Sequence, residues 1–151
     1  AKDAPMPDAA PSPADAGSLS PQDALVAVMI ATSFSDEAVR TAELVQIQNM
    51  VDNLPVFGAY DAERMRCVGE MVMELVQRDD GLDRLFDGVR RTLPDRLRET
   101  AYALACDVAA ADGRISDGEA RMLEEIRHEL RVERLHAAAI ERGARARYMT
   151  L

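Results

Sequence analysis

The sequence has no tryptophan, only three tyrosines and three phenylalanines, so aromatic rings cannot dominate its interior. A core built from it must use Leu, Val, Ile, Met and Ala; Leu, Met and Ala are strong helix formers. Cysteine is nearly absent. Cys67 and Cys106 stand in neither CxxC nor CxxH spacing, which excludes a sequence-encoded zinc knuckle or dithiol motif. Both fall among apolar residues, where a buried reduced thiol is the ordinary state, and a reducing compartment fits that. Long apolar runs are also missing. The longest, Ala24 to Ala31, falls far short of the ~20 residues that a membrane span needs. The first twenty residues lack an apolar stretch of the kind that marks a secretory leader, and the initial Ala in place of Met predicts a processed start. Net positive charge is lacking too. At −9 the chain repels phosphate backbones, so no nucleic-acid partner is expected. The charge is uneven, because residues 127–151 hold six Arg against three Glu.

A chain of 151 residues fits one domain. Residues 1–18 contain four of the seven prolines among Ala, Asp and Ser, and such a segment buries too little to offset its ordering entropy. The expected organisation is a disordered Pro/Ala-rich tail over 1–19 and a helical domain over 20–151. Ser20 as N-cap and Pro21 at the first helical position open a helix over 21–34, with Leu25, Val28 and Met29 inward. A second helix is expected over 41–53, burying Leu44, Ile47, Met50 and Val51. A third, over 62–79, places Met65, Val68, Val72 and Leu75 on one face. A fourth covers 82–92. Pro94 opens a fifth to 111, which Asp112-Gly113 ends. Ser116 and Glu119 form an S-x-x-E capping box for the sixth, with Leu123, Ile126 and Leu130 inward. The seventh covers 132–146 and buries Val132, Leu135 and Ala139. Short loops and the lack of β-type alternation predict an all-α compact bundle of about seven helices.

An internal repeat runs through the chain at an offset of 76 residues. Asp36 to Glu43 lies over Asp112 to Glu119, and apolar positions match on both sides: Val28 with Leu104, Val39 with Ile115, Ile47 with Leu123, Met50 with Ile126, Leu54 with Leu130. The bundle is therefore expected to consist of two related halves. Each copy puts an Asp at the end of one helix and a Glu in the first turn of the next. If the halves pack about a pseudo-twofold axis, Asp36, Glu43, Asp112 and Glu119 converge, and such oxygen ligands suit calcium or magnesium. A purely structural account also exists for the second copy: Asp112 accepts turn hydrogen bonds, Gly113 supplies a positive φ, and Glu119 caps its helix. It fails in the first copy, where Arg40 occupies the capping position and cannot form the box with Glu43. An EF-hand is excluded, since its first and third ligand positions would be Val108 and Ala110, or Thr32 and Phe34.

Other motifs read as structure. His128 and His136 are too far apart for paired ligation on one helix and read as surface residues. Met65, Met71 and Met73 read as adaptable core. The segment Arg142 to Tyr148 reads as compensation of a helix C-terminus, with anionic lipid or an acidic partner face as the other reading. No nucleophile motif, P-loop or dinucleotide fingerprint is present, so no enzyme is expected.

Leu104-Ala-Cys-Asp-Val-Ala-Ala-Ala-Asp112-Gly-Arg-Ile-Ser-Asp-Gly-Glu119 resembles the signature of the tellurite-resistance TerB domain. So does Ala137-Ala-Ala-Ile-Glu-Arg-Gly-Ala-Arg145; the resemblance extends over about residues 20–151. In the first copy Glu37 stands where the family has Gly. The resemblance implies seven helices in two halves, with metal bound at the duplicated acidic positions, here Asp36, Glu43, Asp112 and Glu119. It implies a cytoplasmic bacterial stress protein with protein partners, among them membrane proteins reached at their cytoplasmic face. The reading that follows is a stress-response binding module holding or sensing a divalent cation. The alternative is a metal-free helical interaction domain, and a third reading is a hydrolase with an Asp/Glu-held metal.

Overall fold

The computed structural model describes residues 19–35 and 41–151, and every regular element among them is helical. Seven α-helices follow one another: α1 (Pro21–Ser33), α2 (Thr41–Asn53), α3 (Ala62–Val76), α4 (Gly81–Thr92), α5 (Arg98–Ala110), α6 (Asp117–Glu129) and α7 (Arg134–Arg147). Residues 1–18 of the expected tail and Asp36 lie outside the described residues. Leu19, assigned to the tail, is buried and belongs to the core.

Helix α1 is the centre of the bundle. Its run Ala24 to Ala31 has no polar side of its own, and the structure buries every residue from Asp23 to Ser33. It packs against α3, α4, α5 and α6 and touches α2. The hydroxyls of Thr32 and Ser33 donate back to the carbonyls of Val28 and Ile30, so the polar end of this buried helix is satisfied within itself. Helix α5 is the second buried rod, and Tyr102 and Val108 are fully enclosed. It packs against α1 and α7 and also touches α2 and α6. The contacts α1–α6 and α2–α5 are the exchange expected if each half contributes one central helix and lays its next helix across the other's.

The starts of α1 and α6 follow the same chemistry. In each, a serine hydroxyl accepts the amide of the third helical residue, and that residue's carboxylate accepts the serine amide: Ser20 with Asp23, Ser116 with Glu119. Helix α5 departs from expectation. Pro94 is extended, a single 3₁₀ turn covers Asp95–Leu97, and the α-helix begins only at Arg98. Three side chains face the other way from their expected side. Leu44 on α2 and Leu135 on α7 are 49% and 73% exposed, and Ala139 is exposed as well. The buried stripe of α7 is instead Ala137 and Ala144, with Ile140 partly buried, a set whose small side chains give little hydropathy signal.

Candidate functional site

Helix α6 starts where the turn after α5 closes. Asp112 Oδ1 accepts the amide of Arg114 at 3.0 Å, and Gly113 takes φ +83°, the left-handed backbone that its missing Cβ allows. The turn presents Asp112 on the surface and delivers Ser116 to cap α6. Glu119 then points inward. Its side chain is 0% exposed. One oxygen, Oε1, accepts the Ser116 amide at 3.1 Å. The other, Oε2, is buried and has no hydrogen-bond partner among the described residues. The capping box therefore accounts for half of this carboxylate. A buried polar atom without a partner costs on the order of 1–3 kcal/mol, and more when it is charged.

The equivalent position in the first half is Glu43, in the first turn of α2 and 1% exposed. Two glutamates 76 residues apart are thus both enclosed, each in the first turn of a helix that follows a central rod. Lys, Glu, Arg and Asp are almost never fully buried without a paired charge or a specific role. Of the four carboxylates expected to converge, the structure encloses Glu43 and Glu119 and leaves Asp112 exposed. Asp36 and Arg40 lie outside the described residues. Among the described residues no three His, Cys, Asp or Glu side chains group closely enough to hold a metal ion.

Beside the start of α6 lies a groove of about 430 Å³. Phe34 and Ser35 after α1, Val76, Leu82, and Gly118 and Met122 of α6 line it. A second cavity of about 330 Å³ sits between Gly113 and Ile115 of the turn and Tyr148, Met149 and Thr150 at the chain's end. The Arg-rich end is tied back onto the fold: Arg147 reaches Asp107 at 2.5 Å, and the Gln46 amide of α2 donates to the Tyr148 hydroxyl.

The remaining chemistry-bearing residues are structural or exposed. His128 and His136 are exposed, and His136 lies against Glu99 at 2.6 Å. Met71 is buried, Met65 partly so, and Met73 exposed, so the expected methionine stripe divides between core and surface. Cys106 is buried, Cys67 half-buried, and both thiols are free. Sequence reasoning missed Asp23, the third enclosed carboxylate. It caps α1, and it receives Arg64 at 2.6 Å and the Tyr60 hydroxyl at 2.7 Å. Its S-x-x-D spacing after Ser20 was the available signal. With every oxygen partnered, Asp23 is a built lock; Glu119 is built in the same way but left half-satisfied.

A sequence profile of the family described as Tellurite resistance protein TerB matches residues 22–142. No curated protein and no solved structure matches the chain.

Proposed function

The chain belongs to the tellurite-resistance TerB family, and from that membership we propose that it is a non-catalytic stress-response binding module whose buried glutamates hold a divalent cation. The observation that carries this reading is the unpartnered Oε2 of Glu119 inside a fully enclosed carboxylate, mirrored by the enclosed Glu43 at the equivalent position. Carboxylate oxygens suit hard cations, so calcium or magnesium is the fitting class. Glu119 would supply a ligand in the second half and Glu43 its counterpart in the first, and the sequence expectation adds Asp112 and Asp36, of which Asp36 lies outside the described residues. The ion would give Glu119 Oε2 the partner that the protein itself does not provide. It would also tie the turn after α5 to α6. Its role here is structural or sensory: the hydroxyl nearest Glu119, that of Ser116, is engaged in the helix cap, which counts against the hydrolase reading.

The test is calorimetric titration of the metal-stripped protein with calcium and magnesium, paired with thermal melts. A ligand bound only by the folded state stabilises it by about 2.7 kcal/mol at a hundred times its Kd. Glu119→Gln keeps the capping box, because Gln also serves it, and should remove the response. Glu43→Gln should weaken it as well. A wild-type melt indifferent to millimolar calcium and magnesium, with no binding heat, would sink the cation.

The second reading, a metal-free interaction module, is favoured by one observation. Leu44 and Val45 sit side by side on α2, both about half exposed, directly after Glu43. Among the described residues no helix is long and apolar enough to cross a membrane. Protein partners, membrane proteins met at their cytoplasmic face among them, and a cytoplasmic location belong to this proposal through the family resemblance.

A further inference from the structure

The chain is acidic overall, yet it gathers four arginines around one cleft away from the acidic turns. The cleft measures about 650 Å³ and lies where α6 ends and α7 begins, with α4 alongside. Arg90, Arg127, Arg131 and Arg134 line it together with His128, Glu129 and Glu133. Two of the arginines are already spent. Arg90 pairs with Glu129, and Arg127 pairs with Glu124 at 2.5 Å. Among the described residues Arg131 and Arg134 form neither a hydrogen bond through the side chain nor a salt bridge. Glu133 is turned largely to solvent.

The backbone holds these two arginines in place. Helix α6 closes with a paired turn: the Val132 amide reaches the Arg127 carbonyl at 3.0 Å, and the Arg131 amide reaches that of His128 at 3.2 Å. Arg131 takes φ +55° at the position where such turns most often use Gly. Arg134 follows three residues later as the first residue of α7. Glu133, the residue before α7, makes no side-chain cap, so the first amides of that helix have no side-chain acceptor. Compensation of the α6 C-terminus explains Arg127 and His128. It does not explain two further guanidinium groups on either side of one turn that, among the described residues, make no salt bridge, although Glu124 lies near enough to Arg134 to feel its charge. Guanidinium forks bind phosphate oxygens bidentately, and the amides at a helix start add to the same field.

We propose that this cleft is a binding site for a phosphate group, free or carried as a monoester by a small molecule, clamped between Arg131 and Arg134. The site is independent of the divalent cation proposed above. Neither guanidinium has to break an existing ion pair to bind, and the Arg90–Glu129 pair lines the same cleft.

The experiment is amide-resolved NMR titration of the full chain, free of divalent cations, with inorganic phosphate and separately with glycerol phosphate. The comparison protein carries Arg131→Gly and Arg134→Gln. Glycine suits the left-handed backbone at 131, so loss of folding is not the expected result of the change, and an unchanged thermal melt verifies it. Saturable shifts confined to residues 127–136 and Arg90 are expected in the wild type. Affinity should fall at least about tenfold in the variant, given that hydrogen bonds to charged groups are the stronger class, and should fall with added salt. Should the variant unfold, Arg134→Gln alone must still weaken binding. No saturable shift with either phosphate, equal binding by the folded variant, or binding only to phosphatidylglycerol vesicles would each overturn the proposal.

Discussion

Asp23 shows what a fully satisfied buried carboxylate looks like in this fold. Its side chain is 0% exposed; it accepts the Ser20 amide, the Tyr60 hydroxyl and two nitrogens of Arg64. Burial pushes its pKa up, but Arg64, Tyr60 and the Ser20 amide together outweigh burial and hold it below the usual carboxylate range. A pKa lower in the folded state means that the unfolded chain takes up the proton first. The stabilisation is complete above the unfolded value near ~3.9 and is lost as pH falls from there through the folded value. Asp23→Asn should therefore cost roughly 2–4 kcal/mol at pH 7, because it removes the buried charge of the Asp23–Arg64 pair. The cost should shrink as the wild type is acidified below about pH 4. Urea midpoints of both proteins at pH 7 and pH 3.5 measure this, and equal midpoints at pH 7 would refute it. Cys106 makes a second prediction at this scale. Burial, with Glu141 nearby, pushes its thiol up to about 12, so little thiolate exists near neutrality. A thiol reagent should modify half-buried Cys67 on the native protein and reach Cys106 only after unfolding. Fast native modification of both would refute it.

Caps and close approaches decide the helices. Ser116→Ala removes the hydroxyl that accepts the Glu119 amide and should cost about 1 kcal/mol, read from chemical denaturation. Gly81 is a harder constraint. A Cβ there would lie 1.5 Å from the Leu75 carbonyl oxygen, so Gly81→Ala must push α3 and α4 apart. It should cost roughly 1–3 kcal/mol or more, as overpacking does. A thermal melt unchanged by the substitution would mean that this corner yields freely.

The same scale shows how much could be read from the chain. Turn chemistry and apolar spacing located all seven helices, and the bounds of α2 were read as they stand. The caps of α1 and α6 were visible in Ser20-Pro21 and Ser116-x-x-Glu119. The sidedness of α2 and α7 was not. Both lie at the outside of the bundle, where large residues such as Leu44 and Leu135 stand in solvent and the α7 contact is made by alanines. The candidate site was half legible. Spacing singled out Glu43, Asp112 and Glu119, and the cap on Glu119 followed from Ser116. What spacing could not supply is that Glu119 keeps an oxygen without a partner. That depends on what the rest of the bundle brings to it, and Asp23, capped in the same manner, receives Tyr60 and Arg64 from 37 and 41 residues away.

The whole molecule turns the repeat into one cooperative unit. In a solenoid each repeat contacts only its neighbours and can carry part of its own stability. Here α1 is enclosed on every side, and the helices enclosing it come from both halves: α2 and α3 from its own, α4, α5 and α6 from the other. Remove residues after 79 and the face of α1 that α5 covers meets water. Remove residues before 80 and α5 loses α1 and α2. Each half keeps its central helix against two neighbours, α1 with α2 and α3 and α5 with α6 and α7, but loses the cover on its remaining faces, and a fragment of this size buries a smaller share of its surface to begin with. The two halves, residues 1–79 and 80–151 expressed separately, should each show reduced far-UV helicity and no cooperative thermal transition. The full chain should melt in a single step. A half that melts cooperatively with native-like helix content would show that the duplication is still two domains pressed together. The single-step melt would instead mean that anything bound at Glu119 acts on the first half as well, because α6 cannot loosen without exposing α1.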